Sequence, residues 1–292
     1  MDKYQALLHE YQTSWNEQEI QQSIARILEQ NLTQNSTLEV YKTIFNCIDL
    51  TSLNSPDHTE KIVKWVEKVN LFDEHFAEIG NVAALCVYPN FTAIVRGALQ
   101  SNAKVASVAG GFPSSQTFTE VKVAETLLAI GDGADEIDIV MHVGNFLAGN
   151  YEDMCDEISE LKEVCRDKTL KVILESGLLG SAENIAKASL LSIASGADFI
   201  KTSTGKTEIS ATLEAAYVMC QIIKQYYEKT GEKIGFKAAG GIVSTEDAVK
   251  YYSIAKHILG EEWMNESLFR IGASRLANNL LSSISGKETV VF

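Results

Sequence analysis

Between residues 43 and 273 the chain alternates short β-forming runs with helix-length stretches, and few folds accommodate that rhythm. The runs lie at 43–49, 83–88, 104–109, 135–141, 171–175, 199–204, 234–239 and 269–273. Between most of them apolar residues recur at helical spacing, as in Val121, Ala124, Leu127 and Leu128 or Ala215, Val218, Met219 and Ile222, the mark of a helix with one buried stripe. Strands separated by helices pair in parallel, because the intervening helix carries the chain back to the starting edge. Eight such units in simple succession predict a closed (β/α)8 barrel. An open doubly wound sheet would need a reversal of strand order that this succession lacks. Gly133-Ala134-Asp135 and Gly196-Ala197-Asp198 repeat one local solution, a left-handed glycine closing a helix just before a strand opens. Ser244-Thr245-Glu246-Asp247 reads as a helix start with a hydroxyl cap.

No low-complexity linker interrupts 42–285, so the expected organisation is a single barrel domain over 42–285. An N-terminal helical extension (1–41) packs on it and a short tail (286–292) follows. In the extension, residues 4–31 read as helix. Ile20, Ile24, Ile27 and Leu28 form its apolar stripe, and Leu7, Leu8, Tyr11 and Trp15 suggest a helix ahead of it. A net charge of −14 leaves no basic stripe to displace counterions, which argues against a nucleic-acid partner. A few lysines and backbone amides can still make a local positive pocket. The five cysteines are odd in number with no CxxC pair, so reduced thiols are expected. With no apolar signal core and no run of spanning length, the expectation is a cytoplasmic protein without membrane contact.

Strand alternation also sorts side chains by face. In 135–141, Ile137, Ile139 and Met141 suit the helix layer, which turns Glu136, Asp138 and Val140 inward. By the same rule Phe199, Lys201 and Ser203 share a face, as do Gly235, Lys237 and Ala239, whose small members are expected to leave room for an ammonium. Lys171 falls beside Glu175, and the first run ends in Asp49-Leu50-Thr51. Lysines and carboxylates therefore converge where a core belongs, at a high desolvation cost. For Lys171 with Glu175 the favoured reading is a structural ion pair. For Lys201, Lys237 and Asp138 it is chemistry. Desolvation plus a neighbouring like charge, Lys237 on Lys201 or the reverse, depresses a lysine pKa. An amine brought from about 10.4 toward 7 attacks a carbonyl and forms a Schiff base, and a nearby carboxylate can move the protons involved.

Glycines close the last three units: Thr204-Gly205-Lys206, Ala239-Gly240-Gly241 and Gly272-Ala273-Ser274. Bare amides beside helix N-termini after the final strands of a barrel point to phosphate binding, with Lys206 adding charge. Gly205-Lys206-Thr207 is not a nucleotide loop, since the required earlier glycine is Ile200. His142 has no spaced metal partner and reads as a loop residue. Cys47 and Cys86 read as small buried hydrophobes.

From about Phe45 to about Leu276 the ordered landmarks resemble the deoxyribose-phosphate aldolase family. They are Asp49-Leu50-Thr51, Cys86-Val87-Tyr88-Pro89, Val108-Ala109-Gly110-Gly111-Phe112-Pro113, Asp135-Glu136-Ile137-Asp138 and Asp198 through Lys206. Gly235-Phe236-Lys237, Ala239-Gly240-Gly241 and Arg270-Ile271-Gly272-Ala273-Ser274 follow. The resemblance implies a class I (β/α)8 aldolase with Lys201 as the Schiff-base residue, Lys237 lowering its pKa and Asp138 in proton transfer. Gly205, Lys206, Gly240, Gly241, Gly272 and Ser274 would hold a phosphate, and Asp49, Thr51 and Lys171 would stand on the substrate side. The implied reaction is reversible cleavage of 2-deoxy-D-ribose 5-phosphate to D-glyceraldehyde 3-phosphate and acetaldehyde. No metal or organic cofactor is implied, and a homodimer is. Another Schiff-base aldolase acting on a different phosphorylated sugar, or a non-catalytic sugar-phosphate-binding barrel, are the alternatives. Ala238, Arg275 and Phe292 depart from the family pattern, which has proline, serine and often a terminal tyrosine at those places.

Overall fold

The computed structural model describes residues 3–292. Eight strands close into one barrel in chain order: β1 (Ile48–Thr51), β2 (Ala84–Val87), β3 (Lys104–Val108), β4 (Glu136–Val140), β5 (Thr169–Ile173), β6 (Phe199–Lys201), β7 (Gly235–Ala239) and β8 (Phe269–Ala273). Every adjacent pair is parallel, including β8 with β1, and helices fill the connections, as the alternation predicted. The outward faces of the strands carry the main apolar core. Ile137 and Ile139 on β4, Val172 on β5, Ile200 on β6, and Phe236 and Ala238 on β7 all pack there against the helices. Among the described residues no helix is long and apolar enough to cross a membrane.

Three helices precede the barrel: α1 (Lys3–His9), α2 (Glu17–Asn35) and α3 (Leu38–Asn46). Asn16 caps α2 by accepting the Gln18 amide at 2.8 Å, and Ile20, Ile24 and Ile27 bury the predicted stripe. The Asn35 side chain donates to Ser253 at 2.9 Å, tying the far end of α2 to a helix of the barrel.

The run at 43–49 is a correction. Thr37 caps a helix that continues through Asn46, so Thr43, Ile44 and Phe45 are helical and the strand begins at Ile48. Their β-forming side chains meet the apolar 3–4 spacing of Val40, Tyr41, Ile44 and Phe45, and packing outweighs a propensity difference well below 1 kcal/mol per residue. The same helix straddles the boundary expected between residues 41 and 42. A second correction concerns β6, which ends at Lys201 rather than at Thr204. Beyond it the Thr202 hydroxyl takes over the pairing, accepting from the Ala239 amide at 2.9 Å and donating to the Ala239 carbonyl at 3.0 Å.

The tail runs back along the last helix, Leu276–Ser285. Asn278 accepts the amides of Val291 and Phe292 at 2.9 and 3.0 Å and donates to the Phe292 carbonyl at 2.8 Å. The Phe292 ring packs on Phe72 and Phe45, with ring centres 5.5 and 6.3 Å apart. It belongs to the outer shell of the molecule.

Candidate active site

Register decides which polar residues meet. Lys201 on β6 lies opposite Lys237 on β7, and Asp138 on β4 lies opposite Lys171 on β5. Alternation turns all four into the barrel. There Asp138 Oδ2 accepts from Lys201 Nζ at 2.9 Å and from Lys237 Nζ at 2.7 Å, while its Oδ1 accepts from Lys171 at 2.9 Å. Lys237 also donates to Asp49 Oδ2. Lys171 reaches Glu136 at 2.5 Å and Asp49 at 3.3 Å. The predicted trio of Lys201, Lys237 and Asp138 is thus one hydrogen-bonded unit.

The three lysines in this cluster are shifted in opposite directions by their surroundings. Burial pushes the Lys201 amine below the ordinary lysine range. Asp138 opposes that fall, Lys237 adds to it, and the net is downward. Burial pulls on Lys237 in the same sense, yet Asp138 and Asp49 overcome it and hold that ammonium above its usual value. Lys171 is likewise held up, by Asp138, Asp49 and Glu136 against burial. Burial would raise Asp138, but Lys171, Lys201 and Lys237 hold it well below the carboxylate range. Of the two directions left open by sequence, the environment favours Lys237 as the more basic amine and Lys201 as the less basic one.

Above this layer a cavity of about 230 Å³ opens at the C-terminal ends of β1, β6, β7 and β8. Lys201 lies on its floor. Thr51, Gly205, Lys206, Gly240, Gly241, Gly272 and Ser274 form its wall with Leu53, Asn54, Thr204 and Arg275. Gly240, at φ 92°, has no room for a side chain: a Cβ would sit 2.7 Å from Ser210 Oγ and 3.2 Å from Gly205 Cα. The loops after β6 and β7 therefore touch backbone to backbone, with their amides near the cavity. The helix Leu276–Ser285 starts beside Arg275 with no side-chain cap, which leaves its first amides to be satisfied by water or an anion. Lys206 bridges the mouth by donating to the Leu53 carbonyl. Opposite the lysines, Ala84, Cys86, Ala106 and Val108 line the barrel with small apolar groups beneath Leu53, Tyr88 and Phe112.

Asp49 and Lys171, expected on the substrate side, are fully buried in the ion layer below and do not line the cavity. Their charges are worth more paired to each other's neighbours than presented to a ligand. Glu175 does not pair with Lys171. It lies past the end of β5 in a left-handed conformation (φ 52°), where it accepts from Thr204 Oγ1 at 2.5 Å and Thr207 Oγ1 at 3.2 Å. Strand alternation was extended two residues too far. Nor does Gly235 make room for an ammonium; a Cβ there would fall within the Phe199 ring. Gly272 performs that service instead, since a Cβ would stand 3.2 Å from Lys237 Cε. His142 caps a short helix, its Nδ1 accepting from Asn145 at 3.1 Å.

Sequence reasoning missed Arg270 as a member of the site. It bridges Asp49 Oδ1 at 2.5 Å and Glu136 Oε1 at 2.7 Å while 3% exposed. The signal was present: Phe269 and Ile271 flank it on β8, so alternation turns Arg270 inward.

Residues 43–280 match the model of the DeoC/LacD family aldolases. The chain is similar to the deoxyribose-phosphate aldolase of Homo sapiens, 41% identical over 248 residues that cover 80% of this chain and 77% of the human one. The Mus musculus deoxyribose-phosphate aldolase is 39% identical over the same shares. Among solved structures, the tetrameric deoxyribose phosphate aldolase of Aeropyrum pernix superposes with a TM-score of 0.68 at 25% identity, covering 88% of this chain and 96% of the archaeal one.

Proposed function

Because the chain belongs to the DeoC/LacD family of aldolases, we propose that it is a class I lyase. It cleaves 2-deoxy-D-ribose 5-phosphate reversibly into D-glyceraldehyde 3-phosphate and acetaldehyde. The observation that carries this reading is the single lysine with a lowered pKa on the floor of a cavity whose rim is glycine amides, Lys206 and Arg275.

The neutral Lys201 amine adds to the C1 aldehyde of the open-chain sugar, giving a carbinolamine, and loss of water leaves the iminium. The C3 hydroxyl then loses its proton, the C2–C3 bond breaks, and its electron pair flows into the iminium as an enamine. Glyceraldehyde 3-phosphate departs. Protonation of the enamine carbon and hydrolysis release acetaldehyde and restore the amine. Asp138, 2.9 Å from Lys201 Nζ, is placed to pass protons, directly or through one water, at the carbinolamine and enamine steps. The positive charge on Lys237 opposes a second positive charge on Lys201, which keeps the nucleophile neutral at rest. The small apolar wall around Cys86 suits the two-carbon enamine. Gly205, Gly240, Gly241 and Ser274, with Lys206 and Arg275, suit the phosphate.

The same reading treats 42–285 as the catalytic barrel, 1–41 as a packed extension and 286–292 as a tail outside the pocket. It also takes the protein to be cytoplasmic and a homodimer. Light scattering tests the dimer against the tetramer found in the Aeropyrum pernix relative. The chemistry is tested by adding acetaldehyde, reducing with borohydride and mapping the N-ethyl group by mass spectrometry. Label on Lys201 is expected; label on another lysine overturns the assignment.

A further inference from the structure

The buried charges of the barrel add up in an unusual way. Three carboxylates, Asp49, Glu136 and Asp138, meet four cationic side chains, Lys171, Lys201, Lys237 and Arg270, all buried. Each of the six carboxylate oxygens is occupied. Arg270 takes Asp49 Oδ1 at 2.5 Å and both Glu136 oxygens, at 2.7 and 3.1 Å. Lys171 takes Glu136 Oε2 at 2.5 Å and Asp138 Oδ1 at 2.9 Å. Lys237 spans Asp49 Oδ2 and Asp138 Oδ2. Among the described residues Lys201 alone of the four contacts a single carboxylate oxygen, at 2.9 Å, and that oxygen already holds Lys237.

We propose that Arg270 and Glu136, on the side of the ion layer away from the pocket, are positioning residues for Lys201. With Asp49, Asp138, Lys171 and Lys237 they close a buried lattice of three anions and three cations, leaving the Lys201 amine as the one basic group without an anion of its own. The proposal rests on the Schiff-base reading and extends it: the reactive amine is set by the charge count of the whole lattice, not by Lys237 alone. Burial of an uncompensated charge is the physical reason, since it is resisted far more strongly than burial of a matched set. The remaining inward groups do not alter the count. β2 contributes the Cys86 thiol, which burial pushes up and so keeps neutral. β3 contributes Lys104 at its exposed lower end, near the exposed Glu266. Glu175 is held away by Thr204 and Thr207.

The test is the acid limb of the pH profile of kcat/KM, read together with the pH dependence of borohydride trapping of acetaldehyde on Lys201. Arg270→Met removes a cation, so Lys201 is drawn into the lattice as its replacement. The acid midpoint should rise by about one pH unit or more. Glu136→Gln removes an anion and should move the midpoint the opposite way. The double variant restores the balance and should return the midpoint to the wild-type value, as should Arg270→Lys alone. A merely structural role predicts equal loss at every pH. An unmoved midpoint in Arg270→Met, or a double variant that stays shifted, overturns the proposal. If Arg270→Met does not fold, an unmoved midpoint in Glu136→Gln does so alone. Failure of wild-type Lys201 to take any label at any pH would instead remove the Schiff-base reading, and this inference with it.

Discussion

Beneath the pocket floor, six charged side chains meet almost out of reach of water; around its mouth, glycines and hydroxyls present backbone to solvent with one lysine and one arginine. The lower region works through side chains whose charges are matched oxygen by oxygen. The upper region works through amides whose positions depend on what is missing, such as the Cβ of Gly240. In the lower region a lost group leaves a partner stranded in low dielectric, so the penalty is large and spreads. In the upper region water replaces a lost contact, so the penalty is local. Stability and the protonation state of the nucleophile are set below, substrate grip above.

That contrast can be broken at several points. Lys201→Leu should lower kcat/KM by at least about a thousandfold, some 4 kcal/mol, while circular dichroism and Tm hold at or above wild type, because a poorly paired amine is exchanged for an apolar group. Residual activity above that level would count against a covalent role. Lys237→Met takes the shortest partner from Asp49 Oδ2 and one of the two partners from Asp138 Oδ2, leaves the layer one cation short, and should cost about 3 kcal/mol of stability, read as a lower denaturant midpoint. Lys201 should then stay protonated to higher pH, so turnover falls most on the acid side. If the loss proves independent of pH, the lysine is only a strut.

At the rim, Lys206→Ala should raise KM for the phosphorylated sugar about 10- to 100-fold, the worth of one hydrogen bond to a charged group. Unphosphorylated 2-deoxyribose should be turned over as before, and an equal loss with both sugars would refute a phosphate role. Smallest is Phe292→Ala. The ring is half-buried in the outer shell, so the expected cost is about 1–2 kcal/mol, a Tm drop of about 2–8 °C, with kcat unchanged. A fall in kcat would place the tail in catalysis after all.

Much of this was legible beforehand, for reasons that differ by residue. Lys201, Lys237 and Asp138 stood out because alternation is a strict period of two, and a charge on the inward face of a strand has nowhere to go but the barrel. β8 was found at its true limits, since its apolar and polar faces alternate cleanly. Thr43, Ile44 and Phe45 were misread because β-branched and aromatic residues suit either a strand or a packed helix over so short a run. Glu175 was misread because the left-handed position that ends the alternation is Glu175 itself rather than a glycine. Arg270 was overlooked although the same alternation turns it inward.

Local order is a property of neighbouring residues, so the chain alone determined the eightfold alternation, the inward faces and the glycine-rich ends of the last three strands. Pairing between charges far apart in the chain depends on barrel closure, which brings β1 against β8 and sets Asp49 within reach of Lys237 and Arg270. Only the closed structure could decide which lysine is made more basic and which less, because that depends on how many carboxylate oxygens each amine reaches and on how little water reaches any of them.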